Sequence, residues 1–272
     1  MIPKLNMYCL TLDPLHETLI KKINYIPVGL GTKIFSKNCL NDKIGINIAK
    51  KNPYYGEYTF HYCLWKNSIL EESNWIGFCQ YRKFWKKNFI NFDKNNFNSF
   101  TNSILKEINE DFTNYESVIG ESFFVNKFKF SKFFKHNFKT MIFNPQLFFL
   151  KSKRNILFHF DMMHGAGNLN KAISLLDFKE KKDFEYFVNT EVSFNPHNMF
   201  ICKNKKILFD YYDSVFPWLE RCEKIFGFEK LNSYGLKRIY GFLAERYLSY
   251  WFKKYTKYKL LPIEFKDLSD FL

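Results

Sequence analysis

Hydrophobic and polar positions in the first third of the chain switch repeatedly between the period of a strand and that of a helix. Leu5 to Leu12 is a nearly unbroken apolar run closed by Asp13-Pro14, which reads as a buried strand. Leu15 to Ile23 follows with helical spacing. Tyr25 to Gly31 is a short apolar run ended by glycines, a second strand and turn. Residues 41–55 are polar and read as a loop. Residues 56–70 place Phe60, Cys63, Leu64 and Leu70 on one helical face. Asn74 to Arg82 is β-rich and alternating, a third strand. The order β-α-β-loop-α-β predicts an α/β sheet.

Downstream the pattern turns helical. Residues 86–110 predict a long loop feeding a short helix, and 115–125 a strand and then a loop. Residues 126–160 mix Phe and Lys and predict several helical stretches. Residues 168–176 and 184–190 have helical spacing, and 198–203 is a short strand. Residues 206–226 predict a helix with Phe209, Tyr212, Phe216 and Trp218 as anchors, kinked or divided at Pro217. In 234–255 the apolar positions Leu236, Ile239, Tyr240, Leu243, Tyr247, Leu248 and Trp251 keep a three-four spacing. No repeat or linker interrupts this. The expectation is one domain over 1–272, with an α/β half (1–125) and a mainly helical half (126–272).

Charge changes the picture more than composition does. Lys and Arg number 41 against 27 Asp and Glu, a net +14 that favours anionic ligands: phosphates, nucleotides, acidic lipids or nucleic acid. Aromatics make up 21% of residues, which an AT-rich coding sequence would supply without any functional reason. Six cysteines without a CxxC pair fit neither a zinc site nor a disulfide scaffold, so buried thiols are expected. No apolar run is long enough for a signal peptide or a membrane span, so the expected location is the cytoplasm or the inner face of a membrane. The basic charge and the aromatic helices 206–226 and 234–255 would suit an anionic surface. The plainer account is that their aromatic stripes are core.

Five segments carry candidate chemistry. Tyr81, Arg82, Lys83 and Trp85 stand at the carboxyl end of a predicted strand, where α/β sheets bind ligands. Arg82 can fork onto phosphate oxygens and Lys83 adds a point charge. Asn47, Lys51, Asn52 and Glu57 belong to a polar segment that opens a helix, a place that favours anions. Asp161 and His164 are three apart, on one face if helical, and form a candidate acid–base pair or a structural contact. His197 and Asn198 lead into a short strand. Arg238, Glu245 and Arg246 lie on the last long helix, where an ion pair is the simplest use. Asp-x-Asp, GxGxxG, GxxxxGK[ST], GxSxG and HExxH are all missing from the chain.

Taken in order, these segments resemble a known family. The set runs Asn47-Ile48, Lys51-Asn52, Tyr55, Glu57, Thr59, Trp65-Lys66-Asn67, then Gly77 to Trp85, His164, Asn198 to Ile201, and Arg238 with Gly241 to Arg246. It resembles, over about residues 1–255, the bacterial family catalogued as domain of unknown function 4422. Members of that family sit among capsular and cell-surface polysaccharide genes and are regarded as glycosyltransferases. Gln80 stands where the family commonly has His, Lys83 where it has a second Arg, and Gly56 where Cys is common.

The resemblance implies a GT-A-like, Rossmann-type sheet binding a nucleotide sugar, UDP-linked by preference, and a helical acceptor side. It implies a growing capsular or lipooligosaccharide glycan, or a lipid-linked oligosaccharide, as acceptor. Physics then assigns roles. Asn47, Lys51, Asn52, Tyr81, Arg82, Lys83 and Arg238 are donor and phosphate ligands, with Arg82 and Lys83 neutralising the diphosphate in place of a metal ion. Asp161 or His164 deprotonates the acceptor. Glu57, Trp85, His197, Asn198, Glu245 and Arg246 are acceptor-side or structural. Two alternatives remain open on the residues: transfer of another group, such as a modified phosphate, and a basic protein that binds nucleic acid or a membrane surface. Scattered lysines and the lack of a nucleic-acid motif argue against nucleic acid.

Overall fold

The computed structural model describes residues 4–70, 75–87, 93, 95–127, 150, 153–229, 231–232 and 234–272. Most of the helical stretches expected in 126–160 lie outside these residues.

A parallel block of the sheet is built from β1 (Leu5–Thr11), β2 (Ile26–Gly29), β3 (Leu40–Asn41) and β4 (Trp75–Gln80). β1 pairs in parallel with β2 on one side and β4 on the other, and β2 pairs in parallel with β3. Further along lie β6 (Ser117–Gly120), β9 (Phe200–Cys202) and β10 (Tyr258–Leu261). The order is β10-β6-β9-β4-β1-β2-β3, with β9 antiparallel to both neighbours. A short β5 (Lys83–Trp85) follows β4 and pairs with β11 (Ile263–Phe265). A separate two-stranded antiparallel sheet pairs β7 (Phe123–Phe124) with β8 (Ser193–Phe194), far apart in the chain. The mainly helical second half thus supplies β8 to β11, and the tail beyond residue 257 is β-structured.

Because side chains alternate across a strand, each central strand feeds two cores. Tyr8, Leu10, Ile76, Phe78, Ile119 and Phe200 face one cluster, and Met7, Cys9, Trp75, Cys79, Val118 and Ile201 face the other. The first is covered by α3 (Tyr58–Asn67), α8 (Lys205–Phe226) and α10 (Ile239–Tyr255), together with α5 (Ile156–His164), α6 (Asn168–Ile173) and α7 (Phe178–Thr190). The second is covered by α1 (His16–Lys22), α4 (Phe97–Ser103) and the C-terminal turn at Leu268.

Three local expectations change. The polar segment 41–55 contains a short helix, α2 (Asn52–Tyr55), because Pro53 fits a first helical turn. α8 stays helical on both sides of Pro217. The stretch 234–255 is divided at Arg238 into α9 (Tyr234–Lys237) and α10. The aromatic stripes of α8 and α10 are core: Tyr211, Tyr212, Phe216, Trp218, Tyr240, Tyr247 and Trp251 are all buried, which removes them as a membrane-facing surface. All six cysteines are buried and free. No helix among the described residues is long and apolar enough to cross a membrane.

Candidate functional site

The chain passes from β1 to β2 on one side and returns through β4 on the other, so a crevice opens above the carboxyl ends of β1 and β4. Ligands bind at such switch points in open α/β sheets. A cavity of about 290 Å³ lies there, walled by Leu10 and Thr11 from β1, Leu30 after β2, and Gln80, Tyr81, Arg82 and Lys83 from β4 and its turn. Asn52, Gly56 and Glu57 from the α2–α3 junction, and Arg238 before α10, complete the wall. Three cations face it and Glu57 is the only carboxylate among its lining residues.

Glu57 ties the wall together. Its Oε1 accepts from Gln80 Nε2 (3.1 Å) and Asn198 Nδ2 (3.0 Å), and its Oε2 pairs with Arg238 Nη2 (3.2 Å). Gln80 Nε2 also donates to the His197 carbonyl (2.8 Å), and Lys83 Nζ donates to Gln80 Oε1 (3.3 Å). Burial pulls the Lys83 ammonium below the usual lysine range, against Glu57 and Glu245, which favour the charge. Gly56 makes the arrangement possible. Its φ is +58°, and a Cβ there would stand 2.2 Å from Arg238 Nη2. Arg82 stacks over the Tyr81 ring at 4.7 Å and its Nε donates to Asp267 Oδ2 at 2.6 Å.

A second layer backs this wall. His197 and Asn198 both have positive φ, +83° and +52°, a region that residues other than glycine seldom enter and that Asn and His tolerate best. Glu245 Oε1 accepts from the His197 amide (2.6 Å), and its other oxygen accepts from Arg246 Nη1. Arg246 is fully buried, 3.8 Å over the Phe194 ring. Asn198 Nδ2 also donates to the Gly241 carbonyl, while its buried Oδ1 has no partner. Burial, then the Lys83 charge, holds His197 down to about 4, so its imidazole is neutral near pH 7.

The structure brings Asn52, Tyr81, Arg82, Lys83, Arg238 and Glu57 to one cavity, with His197, Asn198, Glu245 and Arg246 behind them. It does not bring Asp161 or His164 there. The two share a face of α5 as the spacing predicts, but Asp161 Oδ1 accepts from the Gly167 amide (3.1 Å). His164 is buried, stacked at 4.1 Å on Phe242 with Nδ1 against the Gly235 carbonyl, and burial holds it down to about 3. Lys51 turns to the far side of α2, paired with Glu223 at 2.6 Å. Asn47 clamps its own loop through the Lys43 and Gly45 carbonyls. Trp85 is buried, with its indole N–H on the Phe78 carbonyl.

Sequence reading missed Gln80 as a contact, the buried Asp42 and the tail residue Asp267. Asp42 Oδ2 accepts from Thr59 Oγ1 (2.6 Å), which in turn accepts from Asn52 Nδ2, so it props the cavity floor. Burial pushes its carboxyl up. No spacing rule marks it. Among the described residues no group of three His, Cys, Asp or Glu side chains is gathered as a metal site.

No curated protein matches the chain in sequence. Among solved structures, the apo form of the bifunctional glycosyltransferase WbbM is similar over 97% of this chain, with a TM-score of 0.70 and 20% identity. This chain spans 45% of that protein, and the likeness identifies the fold as GT-A-like. The Mn/GDP form of core-mannan synthase A from Aspergillus fumigatus overlaps too loosely to argue from, at 12% identity and a TM-score of 0.38 over 96% of this chain and 74% of that one. A family's sequence profile matches residues 14–257, most of the chain, and on that match the chain belongs to the family described as domain of unknown function DUF4422.

Proposed function

We propose that this protein is a glycosyltransferase that moves a sugar from a nucleotide donor to a growing cell-surface glycan, capsular or lipooligosaccharide. The observation that carries the reading is the cavity at the β1/β4 switch point, lined by Arg82, Lys83 and Arg238 around one carboxylate. When a nucleotide sugar reacts, negative charge builds on the departing diphosphate. Preorganised cations in a partly dry site stabilise that charge. The guanidinium groups of Arg82 and Arg238 suit paired phosphate oxygens, and Lys83 adds a compact charge from its half-buried position. The apolar wall of Leu10, Leu12 and Leu30 offers surface for a nucleoside, beside the Tyr81 ring that carries Arg82 and His16.

The same residues support transfer without a divalent metal. Such an ion seeks several oxygen ligands, whereas the one lining carboxylate already accepts from three donors. Glu57 therefore serves as organiser of Arg238, Gln80 and Asn198.

Thermal shift against UDP, GDP and CMP compounds, with and without Mn²⁺ and after EDTA, tests the reading. A ligand at one hundred times its Kd stabilises by about 2.7 kcal/mol. Stabilisation without metal that disappears in Arg82→Ala is the expected result. Indifference to every nucleotide would remove the donor assignment, and loss of transfer on EDTA treatment would remove metal independence.

A further inference from the structure

The tail beyond residue 257 lies outside the matched family region, yet it bonds to two residues that line the cavity, Tyr81 and Arg82. β11 pairs with β5, so the chain runs back past the turn that follows β4. The Lys266 amide donates to the Arg82 carbonyl (3.3 Å), and the Leu268 amide to the Tyr81 carbonyl (3.1 Å). Leu268 is fully buried, and Ser269 Oγ meets His16 Nε2 at 3.0 Å. Between these anchors, Asp267 uses its carboxylate twice. Oδ1 accepts from the Ser269 amide (2.9 Å), capping the last turn, and Oδ2 accepts from Arg82 Nε (2.6 Å).

We infer that Asp267 is a positioning residue for the donor's diphosphate, acting through Arg82. The inference rests on the nucleotide-donor reading of the cavity. The Arg82 side chain is 60% exposed, and an exposed ion pair adds little to folding stability. Its effect falls instead on the freedom of the arginine. A long side chain loses rotamer entropy when a ligand fixes it, and an arginine fixed beforehand loses less. Asp267 takes the Nε edge, while Tyr81 supports the guanidinium face. The two terminal amino groups are left for phosphate oxygens, the bidentate arrangement arginine favours. The negative charge of Asp267 works the other way, drawing down the attraction of Arg82 for phosphate, and the positioning gain has to exceed it.

Calorimetric titration of the full chain with inorganic pyrophosphate, UDP and GDP tests this, using wild type, Asp267→Ala, Arg82→Ala and the double variant. The size-preserving Asp267→Asn guards against misfolding. Asp267→Ala is expected to weaken binding about tenfold, which is about 1.4 kcal/mol, with a slightly lower melting temperature from the lost cap, which Asp267→Asn retains. Asp267→Asn should lie between it and wild type. In the Arg82→Ala background the Asp267 substitution should add nothing, because its action passes through that side chain. If wild type binds a probe and Asp267→Ala binds it equally well or more tightly, or if the loss persists without Arg82, the positioning role is overturned while the nucleotide reading stands. If wild type binds none of the probes, the nucleotide reading itself falls and the positioning role with it.

Discussion

Two carboxylates in this molecule act as hubs, and they differ instructively. Glu180, in the first turn of α7, accepts from Tyr250 (2.9 Å), Tyr247 (3.4 Å), Tyr255 and Lys254 (3.3 Å), all on α10. Glu57 accepts from Gln80, Asn198 and Arg238, which come from β4, the turn before β9 and the break before α10. The first hub joins two neighbouring helices and its donors are shared among themselves. The second gathers three distant parts of the chain at the carboxyl edge of the sheet. Its members retain capacity: Arg238 lines the cavity, and Asn198 keeps an unpaired buried oxygen. The backbone around it takes positive φ at Gly56, His197 and Asn198, a conformation that only the glycine adopts freely. Partner number does not separate clamp from site. Unspent donors, backbone at positive φ and position at a switch point do.

The sharpest way to break the comparison is to remove each hub. Glu57→Ala leaves Arg238 without its carboxylate and takes one of two acceptors from each of the Gln80 and Asn198 amides, which keep the His197 and Gly241 carbonyls. The expected loss is about 3 kcal/mol of stability, together with nucleotide binding. Glu180→Ala is expected to cost about 2 kcal/mol, since its tyrosines can turn towards water, and to leave nucleotide affinity within twofold. Urea unfolding and calorimetric titration read both. Equal loss of binding in the two variants would erase the distinction.

A smaller effect comes from Gly56→Ala. A positive φ with extended ψ costs a non-glycine residue about 1–3 kcal/mol, and the added methyl displaces the Arg238 guanidinium. Nucleotide affinity should fall about tenfold, close to the effect of Arg238→Ala, and the two losses should not add. Additive losses would mean that Gly56 acts elsewhere.

The helical side has its own test, set by pH. Burial first, and the Arg246 charge second, hold His164 down to about 3, against an ordinary value of 6.5. As pH falls below about 6.5 the unfolded chain takes up this proton before the folded one does. The stability is therefore complete above about 6.5 and is lost as pH falls towards 3, at up to about 1.4 kcal/mol per unit for one group. His159, held down to about 3 chiefly by burial, adds to the same slope. Urea midpoints between pH 7.5 and 4.5 should fall steeply in wild type and less steeply in His164→Phe, without a matching change in nucleotide affinity at pH 7.5. An unchanged slope would place the acid sensitivity elsewhere.

These contrasts also mark what the sequence made legible. β1 and β4 could be read because both faces are buried and the run is apolar. The basic turn at Tyr81 to Lys83 could be read because it follows such a strand. For Asp161 and His164 the spacing reports only a shared helical face, and there His164 packs on Gly235 and Phe242, away from the β1/β4 cavity. Lys51 and Asn52 are adjacent in sequence, yet the helical turn at α2 sends one to Glu223 and the other to the cavity. Asp42 and Asp267 were invisible for a different reason. Each acts through a partner far along the chain, Thr59 or Arg82, and long-range pairing leaves no local period.

The smallest expected effect sharpens the comparison from the side of the clamp. Lys254 Nζ meets Asp183 Oδ2 (2.7 Å), Glu180 Oε1 (3.3 Å) and the Tyr250 hydroxyl (2.8 Å). By charge and contact number it rivals any cation in the cavity wall. Its partners outnumber its ligand-facing donors, and Asp183 is half exposed and readily hydrated once released. Lys254→Met keeps the stem that packs on α7 and removes the charge. The expected cost is about 1 kcal/mol, seen as a lower urea midpoint, with nucleotide affinity and its dependence on salt unchanged. A reduced salt dependence would show that Lys254 contributes to the field that draws the anion, and the clamp at Glu180 would then belong to the site.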